Sequence, residues 1–74
     1  MTQNEQALLT SIRDSNYHDG ADPVGNQIWV DDACADFGTS AGGIMASLVT
    51  KRLAGTDGET CWITTEGLAA LTAY

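Results

Sequence analysis

The chain has 74 residues, with ten Asp or Glu against three Lys or Arg, a formal net charge of -7 and a sequence pI near 4.1. That acid excess argues against an ordinary nucleic-acid binder, which needs cations to displace phosphate counterions, and a chain this short holds one domain that buries only about 60% of its unfolded surface. Hydrophobic residues at 43% and charged residues at 18% exclude the low-hydrophobicity, high-charge composition of a disordered chain.

Thr2 followed by Glu5 has the form of a capping box, and it predicts a first helix from about Gln3 to Ser15. Leu8, Leu9 and Ile12 fall on one face of that helix at i, i+3, i+4 spacing. Residues 16–27 contain His18, Asp19, Gly20, Asp22, Pro23, Gly25 and Asn26, types that end helices or set turn dihedrals, and they read as a long loop. Ile28, Trp29 and Val30 have the composition of a short strand. Asp31 stands where an N-cap would, which predicts a brief second helix over about Asp32 to Asp36, ended through Phe37 and Gly38.

Thr39 or Ser40 can cap a third helix immediately afterwards. Ala41, Ile44, Met45, Leu48 and Val49 supply its apolar stripe, and Lys51 and Arg52 suit the negative end of its dipole. Leu53 to Thr56, then Asp57-Gly58, then Thr60 to Ile63 reads as a hairpin with a two-residue Asp-Gly turn. Thr64 or Thr65 can cap a final helix with Leu68 and Leu71 inward and Tyr74 at its end. Residues 1–74 form a single α+β domain on this reading.

The polar, acidic opening MTQNEQ lacks the parts of a signal peptide, and no apolar run approaches the roughly 18 residues that span a bilayer. A cytoplasmic location without membrane attachment is the expectation. Cys34 and Cys61, with His18 as the single histidine, are too few for a zinc site and read as two small buried thiols. His18 in a loop beside Asp14 and Asp19 reads as a solvated side chain, and so short a chain leaves little room for a cleft. No enzyme activity, cofactor or metal is expected. Asp31, Asp32 and Asp36 could surround a hard cation, but two of them stand at a helix start where carboxylates cap free amides.

The order helix, strand, helix-turn-helix, β-hairpin, helix resembles a winged-helix (winged helix-turn-helix) domain. The string GIMASLVTKRLAGTDGETCWITTEGLAAL carries the more specific part of that resemblance: SLVTKRLA resembles the end of a third helix running into the wing, and WITTEGLAAL resembles the wing's close and the last helix. The chain also looks like short winged-helix proteins of bacteriophages. Such domains commonly bind DNA with the third helix in the major groove and the wing beside the backbone. Carried over, the reading positions are Thr39, Ser40, Gly42, Gly43, Ser47 and Thr50, with Thr56, Asp57, Gly58 and Glu59 in the wing.

Those residue types suit DNA poorly, because base readout relies on Arg, Asn or Gln forks and the wing offers two carboxylates. The expected function is therefore non-enzymatic binding of a macromolecule, a protein rather than DNA, such as a host factor or a nucleic-acid-binding complex that an acidic protein can occupy by imitating DNA. The candidate protein-binding residues are Asp19, Asp22, Asp31, Asp32 and Asp36, with Gly42 and Gly43 as a flat second surface. The alternative is a DNA-binding regulator using Ser40, Ser47, Thr50, Lys51 and Arg52, with a homodimer formed through the terminal helices. Close packing against another backbone or Trp29 is the competing account of the paired glycines. Trp29 and Trp62 are expected to pack within the sheet, and exposure of either ring would instead mark a protein interface.

Overall fold

The computed structural model describes residues 1–14 and 24–73. In chain order these form α1 (Gln3–Asp14), β1 (Ile28–Trp29), α2 (Val30–Ala33), a 3-10 turn (Gly38–Ser40), α3 (Ala41–Thr50), β2 (Ala54–Thr56), β3 (Thr60–Ile63) and α4 (Thr65–Thr72). The architecture is α+β, with four α-helices among the described residues and an antiparallel sheet in the order β1-β3-β2. It is compatible with a winged helix. Ser15, Tyr17, His18, Asp19, Asp22 and Tyr74 lie outside the described residues.

The capping box forms as expected. The Thr2 amide donates to Glu5 Oε1 at 2.6 Å and the Glu5 amide to Thr2 Oγ1 at 3.1 Å, so two of the free amides of α1 are satisfied reciprocally. Leu8, Leu9 and Ile12 of α1 are fully buried against Leu48 of α3 and Cys61 and Ile63 of β3. Each such aliphatic side chain contributes roughly 1.5–3 kcal/mol by leaving water, which makes the α1–α3–sheet contact the centre of the core.

Three local expectations are corrected. The second helix spans Val30–Ala33, two residues earlier than expected, and its N-cap is Trp29 with no side-chain cap bond; Asp31 and Asp32 sit in its first turn, where the dipole favours them. Neither Thr39 nor Ser40 caps α3 by side chain, because the 3-10 turn runs straight into it and the Ala41 amide donates to the Gly38 carbonyl. The hairpin turn is displaced by one residue. β2 and β3 pair as Ala54 with Ile63, Gly55 with Trp62 and Thr56 with Cys61, and one further step sets Asp57 opposite Thr60, joined by the Asp57 amide to the Thr60 carbonyl at 3.1 Å.

Gly58 and Glu59 are therefore the central residues of that turn. Gly58 takes φ +100°, a value glycine reaches without steric cost. Asp57 instead accepts the amides of Thr60 and Glu59 at 2.7 and 3.0 Å. These bonds hold its carboxyl below the ordinary aspartate range.

The exit from α3 is a Schellman turn. The Leu53 amide donates to the Leu48 carbonyl at 2.9 Å and the Arg52 amide to Val49 at 3.0 Å, with Arg52 at φ +63° in the position glycine usually fills. The start of α4 is tied to this turn. Thr64 Oγ1 accepts the Gly67 amide at 3.0 Å and donates to the Arg52 carbonyl at 2.7 Å. Buried Gly67 lies directly against the Leu53 carbonyl, so a Cβ there would fall far inside van der Waals contact.

Candidate functional site

The conspicuous surface feature is a groove of about 680 Å³ between one side of α3, the α2 segment and the β2–β3 hairpin. Ala41, Gly42, Met45, Ala46, Val49 and Thr50 form one wall, at successive turns of α3. Val30, Asp31, Cys34 and Gly38 form the facing side, and Thr56 and Gly58 close the hairpin end. Several of these residues are exposed, Asp31, Gly42, Ala46, Val49 and Thr50 among them, so the feature is a surface groove and not an enclosed cavity. No Lys or Arg is among its described lining residues.

The structure brings together only part of the predicted acidic set. Asp31 lines the groove, and Asp32 and Asp36 are exposed nearby in sequence; none of the three makes an ion pair among the described residues. Asp19 and Asp22 fall outside the described residues. No group of three His, Cys, Asp or Glu among the described residues is placed to hold a metal ion.

Gly42 and Gly43 are exposed, and a Cβ on either would meet nothing within 4 Å. Close packing does not explain them, which corrects that account. Gly42 lines the groove and Gly43 does not. Gly43→Ala should therefore recover helix propensity at no steric cost, worth about 1 kcal/mol and a rise of roughly 4–8 °C in Tm for a domain of this size. A thermal melt with an unchanged or lowered midpoint would contradict that.

The residues of the DNA-binding alternative are largely occupied inside the molecule. Glu5, only 3% exposed, accepts Ser47 Oγ on Oε2 at 2.5 Å and Lys51 Nζ on Oε1 at 2.9 Å, with Lys51 2.8 Å from Oε2. Lys51, then Ser47, then the Thr2 amide hold the Glu5 carboxyl far below the usual glutamate range, against the opposing effect of burial. Lys51 stands at the C-cap of α3 as expected, and its ammonium in addition ties that end of α3 to α1. Thr50 Oγ1 donates to the Ala46 carbonyl at 2.8 Å. Arg13 pairs with Asp14 at 2.9 Å, which leaves Arg52 as the cation without an ion pair among the described residues. Ser40 is exposed.

Trp29 departs from its expected packing role. Ile28 pairs with buried Cys61 and faces the core, so the next pair, Trp29 with Thr60, faces outward, and Trp29 is 61% exposed. Trp62 lies on that same outer face and covers Gly55, where a Cβ would collide with the indole. Both cysteines are free thiols, Cys61 buried and Cys34 half-buried at the groove. Burial, with Cys34 and Asp57 adding to it, pushes Cys61 up to about 11. Burial and then Asp31 raise Cys34. Both stay protonated at neutral pH, the inert state of a thiol.

Val49 was expected inside and is 37% exposed on the groove wall. Val30, Cys34 and Ala46 gave no sequence signal of a site, since nothing local says which elements will face them. No protein-family model, curated protein or solved structure matches this chain. No helix of the described residues is long and apolar enough to cross a membrane.

Proposed function

We propose that this chain is a small non-enzymatic winged-helix protein, akin to short phage-encoded ones, that acts by binding a macromolecular partner, a protein rather than DNA. It would modulate a host factor or occupy a nucleic-acid-binding complex in place of DNA. One observation carries this reading: α3 forms the wall of an apolar groove that takes in Gly42 and Thr50 of the positions a winged helix would turn to DNA, with Asp31 and no cation among its described lining residues. A carboxylate at that position repels phosphate, and an apolar groove contributes to binding only when another apolar surface covers it.

Affinity capture from nuclease-treated host lysate tests the reading. A retained protein that is lost when Asp31, Asp32 and Asp36 are changed together to Lys is the expected result. Tight, salt-sensitive DNA binding in a gel shift, lost in Arg52→Ala, would replace this reading with the DNA-binding regulator. Arg52 is the informative cation for that test, because changing Lys51 also strips Glu5 of its partner.

A further inference from the structure

We propose that the groove between α3 and the wing takes a short cationic amphipathic segment of a partner protein, apolar side chains on Met45 and Val49 and Lys or Arg at the Asp31 edge. This rests on the protein-binding reading and names the chemistry of what binds. Three features of the groove select that occupant. Its α3 wall is ten residues long, about 15 Å at 1.5 Å per residue, which matches a few turns of a helix and exceeds a single side chain. Gly42 and Ala46 sit one turn apart on that wall with nothing bulky to hold a partner backbone away.

The third feature is the charge at the edge. The Val30 amide donates to the Glu59 carbonyl at 2.9 Å, which sets the backbones beside Asp31 and at Glu59 next to each other where α2 meets the wing. Both residues are exposed and neither makes an ion pair among the described residues. A second copy of this chain is a poor occupant, since each copy carries -7 and like charges across an interface are repelled. Nucleic acid would bring phosphates to the same carboxylates. A segment with an apolar stripe and cationic flanks meets both the walls and the edge, in the manner of a helix laid in a groove.

The test uses two labelled synthetic peptides of about twelve residues, roughly 18 Å as a helix. One carries Leu at every third or fourth position with Lys and Arg between, and the other has the same composition scrambled so that no stripe exists. Anisotropy titrations at about 0.1 M salt should show the striped peptide binding at least about tenfold tighter, a difference of about 1.4 kcal/mol. Ala46→Arg and Asp31→Lys should each weaken it by about tenfold or more. Ala69→Arg, the same change at an exposed position of α4 outside the groove, should leave it within about twofold. Ala46 is itself exposed, and melting curves of the variants verify that each is folded.

Equal binding of the scrambled peptide, or equal weakening by Ala69→Arg, would reduce the effect to bulk charge attraction and overturn the proposal. The two levels fail separately. A captured partner that Ala46→Arg still holds removes the groove and leaves the protein-binding reading standing. Capture of nothing together with a DNA shift removes the reading itself.

Discussion

Gly67→Ala lowers stability by about 3 kcal/mol, the upper end of what overpacking costs, and brings Tm down by roughly 12–24 °C at 4–8 °C per kcal/mol. The new Cβ would meet the Leu53 carbonyl and press on the Ile63 side chain. A carbonyl held in the turn between α3 and β2 cannot rotate aside as a flexible side chain can. The same oxygen accepts the Thr64 amide at 3.2 Å, so moving it disturbs the cap of α4 as well. The roughly 1 kcal/mol that alanine gains over glycine in a helix does not offset this. For a domain whose total stability is about 4–11 kcal/mol at the usual value per residue, the loss is large.

The comparison with Gly43→Ala makes the test sharp, because the same substitution in a second helix should move Tm upward. A Gly67→Ala melt within a few degrees of the parent would mean that α4 does not approach the Leu53 turn as described.

Glu5→Gln produces the second large effect, and its signature is the pH dependence. Glutamine can still serve the capping box, but Lys51 loses its counter-charge and Ser47 its charged acceptor. A carboxyl whose folded pKa is depressed contributes stability that is complete above its ordinary value of about 4.3. That contribution is lost as pH falls through this value towards the lower folded one. The parent should therefore exceed Glu5→Gln in stability at neutral pH, and the gap should close as pH drops below about 4. Asp57, whose carboxyl is also held low, is common to both proteins and cancels in the difference. Denaturant unfolding at a series of pH values measures it, and a constant gap from neutral to acid pH would exclude the Glu5–Lys51–Ser47 tie as its origin.

Glu5 also shows why a binding test must separate structural cations from available ones. On sequence, Lys51 and Arg52 are adjacent and interchangeable. In the fold, Lys51 spans 46 positions to reach Glu5, while Arg52 takes the left-handed position of the Schellman turn with its side chain exposed. A joint charge reversal would weaken DNA binding and folding together, and the result could be mistaken for a DNA site.

Local chemistry made much of the framework legible. The Thr2 and Glu5 capping box, the apolar stripe of α1, the extent of α3 and the Thr64 cap of α4 depend on residues within one or two turns of each other. The hairpin was legible too, but its turn slipped by one residue because Asp57 can satisfy the turn amides with its own carboxylate while Gly58 supplies the positive φ. The second helix was misplaced for a related reason. Two aspartates near a helix start can cap it or occupy its first turn, and only the pairing of β1 with β3 chooses between them.

By itself the sequence determined an acidic α+β chain and the order of its elements, since charge balance, hydrophobic period and capping are properties of neighbouring residues. The tertiary structure alone decided which glycine is open and which is pressed against a carbonyl. It also decided that Glu5 holds Lys51 and Ser47, and that Val49 and Trp29 face outward. Those outcomes depend on which surfaces meet across the core, and residues 42 and 46 positions apart become partners only when α1 lies against α3.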